Sequence, residues 1–400
     1  MLLESLTIVD YVLLGALGAL FLAQVYFYAR YIAAPARRLR RKKQSPITHH
    51  QSPIDEVPGV SVIIAAHNES ANLSDYLQAL LCQDYPNYEV IVVDDGSEDS
   101  TREIIEQYMA YDPRLHMTFV PYGARVASTK KLALTLAAKA AKYDYLLLTD
   151  ADCVPESKHW ISAMMSGFGN VQSDKVQSTK DIVLGFGAYF EEKGHVNRLT
   201  RYDTLFNGLH YLGAALCKHP YMGVGRNLAY RKDLFFNSGG FTHSMDRRSG
   251  DDDLFVNHVA TKNNTAVVLS RDSYTWSRTK QTMKEWWQQK RRHLSVSPAY
   301  RTATKIRLAL EPMIRGLFYA LVLGIVIYQL PITNYQLPIL LLAAVGLFLI
   351  RWIMQTAIIN VSARRMGLKR FTMFSVLWFD IALPLVNLWM LIVPKKQTKW

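Results

Sequence analysis

Apolar runs long enough to cross a bilayer stand at both ends of this chain, and none stands in its middle. The first, YVLLGALGALFLAQVYFYA (Tyr11 to Ala29), suffices for a hydrocarbon core of about 30 Å. A cleaved secretory signal begins with positive charge, but this run is preceded by Glu4 and Asp10 with no Lys or Arg, so it reads as an anchor. The basic cluster ARRLRRKK (Ala36 to Lys43) follows at once. Such flanks stay on the cytosolic side, which implies a multi-pass protein of the cell membrane, inner or plasma, whose middle domain is cytosolic. Near the C-terminus, GLFYALVLGIVIYQLP (Gly316 to Pro331) and the run from Leu337 through Ile350 to Ser362 read as two spans joined by ITNYQ, with ARRMGLKR (Ala363 to Arg370) back on the basic side. The last apolar stretch, Phe371 to Val393, is interrupted by Asp380 and Pro384 and ends in PKKQTKW. One clean crossing would leave Lys395, Lys396 and Lys399 outside, against the charge rule, so a re-entrant or broken hairpin is expected there. Arg351, inside the third span, must face protein or reach for the interface.

Half of the residues are hydrophobic, yet the formal net charge is +13. The pairing makes sense once the chain is divided: 1–44 an anchor with its basic flank, 45–59 a linker, 60–280 an α/β domain, 281–307 an amphipathic interfacial segment, and 308–400 a membrane region. The basic cluster abuts a span and lacks interleaved aromatics, so no nucleic-acid partner is expected. Cys82, Cys153 and Cys217 have no metal-like spacing and suit a reducing compartment. The Pro- and Ser-rich linker Ser45 to Gly59 carries His49 and His50, a pair read as solvated.

The middle region alternates strand and helix. The β-branched run from Val60 toward Ser70 reads as a buried parallel strand, Asn72 to Cys82 has helical spacing, and YEVIVVDDGSEDST (Tyr88 to Thr101) is a second buried strand ending at Asp94 and Asp95. HMTFV (His116 to Val120), the helix Lys130 to Lys142 and the strand in YDYLLLTDADC (Tyr143 to Cys153) continue the series. Alternation of this kind implies a doubly wound, mostly parallel sheet flanked by helices. Ligands bind beyond the carboxyl ends of such strands, where His67–Asn68–Glu69, Asp94–Asp95 and Asp150–Asp152 gather. Asp150 and Asp152, spaced i and i+2 at a strand end, suit one hard divalent cation, Mg²⁺ or Mn²⁺, with positions open for substrate phosphates. A chance surface pair is the plainer account of a bare D-x-D, and the buried strand before it argues against that account.

The ordered motifs AAHNES, VVDDGSEDST, TDADC, GVGRNLAYRK, GDDDLF and QKRRH resemble a family 2 glycosyltransferase with the GT-A fold, over about Val60 to Leu294. The resemblance implies transfer of a sugar from a nucleotide-sugar donor with inversion, a divalent cation and no covalent intermediate. It further implies that Asp95, beside Asp94, contacts base or ribose, that Ala66, His67 and Glu69 line that pocket, and that Asp150 and Asp152 bracket diphosphate and metal. Lys130 occupies the family's lysine position, although Ser128–Thr129 replaces the more usual glycine. In GDDDLF the resemblance points to Asp252 as general base, with Asp251 and Asp253 as competitors. It assigns acceptor contacts to Gly225, Arg226 and Asn227. Gln289 and Arg292 fall in a segment similar to the family's Gln-x-x-Arg-Trp signature, and His293 stands in place of its tryptophan. That departure leans toward single-sugar transfer.

Elementary chemistry runs parallel to these assignments. An inverting displacement needs a carboxylate within reach of the attacking hydroxyl, and three consecutive aspartates repel one another, which raises one pKa toward a useful value. A helix cap before LFVNHV is the plain alternative for Asp251 to Asp253, and a structural turn for the glycines of GVGRN. MKEWWQQKRRHLS (Met283 to Ser295) reads as a helix in the headgroup zone, with Trp286 and Trp287 interfacial. Lys290, Arg291 and Arg292 on it are placed to stabilise a leaving diphosphate. The expectation is therefore a membrane-bound inverting glycosyltransferase acting on a lipid-linked or saccharide acceptor at the cytosolic face. A non-catalytic membrane scaffold or nucleotide-sugar sensor of the same fold is the reading from another class. Nucleotidyl transfer on a similar sheet is a third, distinguished by release of pyrophosphate.

Overall fold

A computed structural model describes residues 7–42, 57–121, 123–124, 126–169, 180–329 and 339–393. Most of the linker, with His49 and His50, the turn ITNYQ and the lysines after Val393 lie outside the described residues.

The chain begins with α1 (Ile8–Phe27), a π-helical turn (Tyr28–Ile32) and the basic helix α2 (Ala34–Lys42). The middle then alternates as its periodicity implies: β1 (Val60–Ala66), α3 (Ser70–Leu81), β2 (Tyr88–Asp94), α4 (Thr101–Met109), β3 (Leu115–Phe119), α5 (Thr129–Ala140) and β4 (Tyr145–Leu148). Shorter elements complete it: β5 (Cys153–Pro155), α6 (Trp160–Met165), β6 (Ile182–Leu184), β7 (Gly187–Tyr189), α7 (His195–Leu216), β8 (Leu228–Arg231), α8 (Lys232–Asn237), α9 (Asp253–Val259), β9 (Thr265–Val267) and β10 (Thr275–Ser277). Four helices follow: α10 (Met283–Leu294), α11 (Thr302–Gln329), α12 (Ile339–Arg365) and α13 (Met373–Ile392).

Seven strands form one sheet in the order β3-β2-β1-β4-β8-β6-β9. β8 alone runs against the rest, being antiparallel to both β4 and β6 while every other pairing is parallel. A second sheet, β5-β10-β7, borders the first. Side chains alternate across a strand, and the two faces of the main sheet feed two cores. Ile63, Ile91, Val93, Leu146 and Leu148 join Ala133, Leu134 and Ala137 of α5. Val62, Ile64, Val90, Val92 and Leu147 join Leu73 and Leu77 of α3 and Trp160 of α6. Burial on both faces is what makes these strands near-continuous apolar runs.

The α5 side of the sheet merges with the inner ends of the long helices, because Ile359, Ala363, Phe371, Val376 and Phe379 belong to the same core as Tyr202 and Leu205 of α7. Against α7 lies the π-turn. A Cβ on Gly213 would stand 2.0 Å from the carbonyl oxygen of Tyr31, so only glycine permits this backbone approach.

Among the described residues, four helices are long and apolar enough to cross a membrane: Ile8–Ile32, Thr302–Gln329, Ile339–Arg365 and Met373–Ile392. The last corrects the expected re-entrant or broken hairpin, for it is one unbroken helix with Pro384 inside it. Asp380 does not interrupt the helix because it is buried against cations from other helices, accepting from Arg315 at 2.5 Å and Arg351 at 2.9 Å. Pro384 forfeits a single backbone hydrogen bond, a loss that helices within a bundle tolerate. Arg351 faces protein, as its position demanded: it donates to Tyr319 at 2.7 Å and Gln355 at 3.1 Å, and also to Gln24. A second correction concerns Trp286. Its side chain is 3% exposed within the main core, so it packs on protein and not at a lipid interface, while Trp287 is partly buried against the same core.

Candidate active site

The carboxyl ends of β1, β2 and β4 lie side by side, with Ala66 in register with Asp94 and the Thr149 N–H donating to the Ile63 carbonyl at 3.2 Å. Beyond β1 the chain turns through Asn68, whose φ of +56° is a left-handed conformation that asparagine tolerates. His67 Nδ1 donates to the Asp95 carbonyl at 2.8 Å. The Glu69 N–H donates to Thr101 Oγ1 at 2.8 Å, and its carboxylate accepts from Asn72 at 2.5 Å. Burial raises the pKa of Glu69; the Asn72 bond opposes the rise, and the charges of Asp152 and Asp150 add to it.

Neighbouring aspartates at the end of β2 divide their work. Asp94 is buried and accepts from the Ser97 N–H at 3.0 Å, fixing the turn. Asp95 accepts from Thr129 Oγ1 at 2.6 Å at the start of α5, and burial raises its pKa. One residue further along, Lys130 reaches across the edge: Nζ stands 2.9 Å from Asp150 Oδ1 and 3.3 Å from Asp251 Oδ2. Burial works against its charge, but Asp150, Asp251 and Asp252 raise its pKa above the ordinary lysine value. The same contact holds Asp150 below the usual carboxylate range despite burial. Asp152 is pushed up instead, by burial first and by Asp150 second.

Asp150, Asp152 and the buried Cys153 each bring a ligand atom within 4.8 Å of the others. The two carboxylates fit a hard divalent cation. Cys153 fits less well, since burial and then Asp152 raise its pKa and keep it a thiol. Two protein oxygens would leave further positions of such a cation for phosphate oxygens and water. Beside the pair sits Arg226, its guanidinium carbon 4.3 Å from the centroid of the Tyr189 ring and Nη1 donating to Ser277 at 3.0 Å. Burial works against the charge of Arg226, and Tyr189, Cys153, Asp152 and Asp150 favour it.

Of the three aspartates in GDDDLF, two face the cleft. Asp252 caps α9, with Oδ2 accepting from the Gly225 N–H at 2.7 Å and Oδ1 from the Asp253 N–H at 2.7 Å. Burial, and then repulsion from Asp251, push it up to about 6. Asp253 turns inward and accepts from Tyr300 Oη at 2.7 Å, which ties the loop to the segment leading into α11. That bond makes it a structural group, and of the competing bases Asp251 and Asp252 remain. The expected acceptor contact of Asn227 also needs correction. Its side chain is fully buried, donates to the carbonyls of Phe186 at 3.0 Å and Ser273 at 2.6 Å, and accepts from Trp160 at 3.1 Å, so nothing of it is left for a ligand.

On α10, Gln289 donates to Tyr189 Oη at 3.3 Å, below Arg226. The charge of Arg292 reaches Asp150. For His293, burial and then the charges of Arg292, Lys290, Arg226 and Lys130 push the imidazole down to about 3. Lys290 is consumed by Asp203 of α7 at 2.7 Å, so it clamps two helices together and does not reach toward a diphosphate.

The sequence reading passed over Lys131. It is fully buried, and its ammonium donates to the carbonyls of Ser244 at 2.5 Å, Arg247 at 3.1 Å and Ser249 at 2.8 Å and to Ser244 Oγ at 3.1 Å. It therefore anchors the loop that delivers Asp251 and Asp252. The signal was present: Lys131 shares the buried stripe of Leu134 and Ala138, where a lysine needs fixed acceptors.

Residues 61–236 match the family model described as Glycosyl transferase family 2. A poly-β-1,6-N-acetyl-D-glucosamine synthase of Staphylococcus epidermidis is 37% identical over 99 residues, which are 25% of this chain and 23% of that protein. The synthase of the same name from Staphylococcus aureus (strain COL) is 33% identical over 101 residues, again 25% and 23%. The match thus spans under a quarter of those relatives' length. In overall shape the chain is similar to a mannosyltransferase from Pyrobaculum calidifontis solved with GDP-Man and Mn²⁺, with a TM-score of 0.51 and 19% identity over 88% of this chain and 99% of that one. Residues 61–236 thus resemble a family 2 glycosyltransferase domain, and the fold is the GT-A fold.

Proposed function

We propose that this protein is a membrane-bound, inverting, metal-dependent glycosyltransferase that takes a sugar from a nucleotide-sugar donor and passes it to a lipid-linked or saccharide acceptor at the cytosolic face. The observation that carries the reading is Lys130, which bridges Asp150 of the strand-end pair to Asp251 of the acidic loop and so makes one site of two distant motifs. Asp95, His67 and Glu69 hold the nucleoside. Asp150 and Asp152 would hold Mg²⁺ or Mn²⁺, which when bound neutralises charge developing on the diphosphate. Arg226 and Arg292 bind phosphate oxygens and offset charge on the leaving group.

Asp252, poised near pH 6, is ionised at neutral pH and accepts the proton of the attacking hydroxyl as the new glycosidic bond forms. A single displacement of this kind inverts the anomeric centre. The names of the staphylococcal relatives support a saccharide acceptor, and the four apolar helices support one met at a membrane. The test is a panel of nucleotide sugars offered to the purified full chain in lipid nanodiscs with candidate acceptors. Acceptor-dependent release of a nucleoside diphosphate and a product of opposite anomeric configuration by NMR support the proposal. Retained configuration, or release of pyrophosphate, defeats it.

A further inference from the structure

At the inner ends of α12 and α13 the connection between the two helices packs against the segment leading into α7, and a cavity of about 690 Å³ opens between them. That volume is in the range of ligand sites. Five cations line it, Lys193, Arg198, Arg201, Lys369 and Arg370. Among the described residues, the only carboxylates on its wall are Glu191 and Glu192. Glu191 is already shared by Lys369 and, at 3.9 Å, by Arg201. Glu192 accepts from Gln281 at 3.3 Å. Lys193, Arg198 and Arg370 make no ion pair among the described residues, and all three are exposed. Two helices also begin at the cavity wall: α7 at Gly194, with no side-chain cap, and α13 at Thr372. Their N-terminal dipoles add to the positive potential. Immediately along α13, Phe374 and Trp378 are 77% and 68% exposed, an apolar face on a helix long enough to cross the bilayer.

We infer that this cavity binds the phosphate headgroup of an anionic membrane phospholipid, with the acyl chains lying along the Phe374–Trp378 face of α13. Unpaired guanidinium groups suit phosphate oxygens, and basic pockets beside membrane helices select such headgroups. The adjoining smaller cavity shares Glu191, Arg201, Lys369 and Phe371 with this one and reaches Tyr189, over which Arg226 lies. A lipid held here therefore borders the sugar-transfer cleft. The inference rests on the four apolar helices and the cavity, not on the sugar chemistry, so either can fail without the other.

The test uses the purified full chain in neutral detergent, titrated with phosphatidylglycerol, phosphatidylcholine or inorganic phosphate and read by native mass spectrometry and thermal shift. Phosphatidylglycerol is expected to form a discrete one-to-one adduct and raise Tm, phosphatidylcholine to do neither, and inorganic phosphate to bind far more weakly than the lipid. Arg198→Gln/Arg370→Gln is expected to weaken the adduct by about tenfold or more, while Arg38→Gln/Arg40→Gln on α2 leaves it intact. The single variant Lys193→Gln, at an exposed position, is expected to weaken it by about threefold and serves if the double variant does not fold. An undiminished adduct in the cavity variants, equal loss in the α2 variant, or inorganic phosphate binding as tightly as lipid overturns the inference.

Discussion

The Gly225 N–H donates to Asp252 Oδ2 at 2.7 Å, and this bond fastens the GVGRN turn to the acidic loop. It holds one oxygen of Asp252 while burial lifts the group to about 6. Asp252→Asn removes the ability to accept a proton and leaves one acceptor oxygen for the two backbone N–H groups, of Gly225 and Asp253, that Asp252 now serves. A loss of about 10²–10⁴ in kcat is expected, with nucleotide affinity by calorimetry changed less than about threefold.

The same group is expected to set the pH dependence. Asp252 works as a base only when ionised, so kcat/KM is expected to fall as pH drops through about 6 and to be flat from there toward neutrality. A pH–rate profile of the full chain checks this, and a profile level from pH 5 to 7 rejects Asp252 as the base.

Lys131→Met removes one ammonium from four oxygen acceptors. Losing charged hydrogen bonds in a buried setting costs about 2–4 kcal/mol, so a lowered Tm is expected. Because the anchored loop carries Asp251 and Asp252, kcat is expected to fall while nucleotide affinity, assigned in the proposed function to the strand ends, stays near the parent value. Equal loss in both would mean that the lysine serves general stability alone.

Asp380→Asn leaves Arg315 and Arg351 facing each other inside the bundle without their shared carboxylate. Removing one partner of a buried ion pair costs about 3–5 kcal/mol. Thermal unfolding in detergent micelles should show a large drop, against almost none for Trp378→Phe on the exposed face of the same helix.

Gly213→Ala drives a methyl group onto the Tyr31 carbonyl, so backbone must shift to admit it. A destabilisation of about 1–3 kcal/mol is expected. Gly18→Ala, where nothing lies within 4 Å, is the matched control. Similar Tm values for the two variants would mean that α7 does not dock on the π-turn.

The strands that carry the site were legible because β1, β2 and β4 are buried on both faces and read as near-continuous apolar runs that lead into Glu69, Asp94 and Asp150. Three-residue strands such as β6, β7 and β10 leave no periodicity to read. Local sequence also hides distant partners. Asp380 looked like a helix breaker because Arg315 lies 65 residues away, and Asn227 looked available because Phe186 and Ser273 are far from it in the chain. Trp286 and Trp287 formed a convincing interfacial pair until tertiary packing buried the first. The acidic motifs are short and local, whereas the lysines that organise them act across more than a hundred residues.

The central claim is that the acidic strand end holds a divalent cation together with a nucleoside diphosphate. Electron paramagnetic resonance of Mn²⁺ titrated into the full chain tests it most directly, in the parent protein and in Asp150→Asn/Asp152→Asn. The account predicts one bound Mn²⁺ in the parent, an altered spectrum when UDP or GDP is added, and no bound ion in the folded variant. Equal Mn²⁺ binding in parent and variant, or a parent that binds nucleotide but no metal, would contradict it.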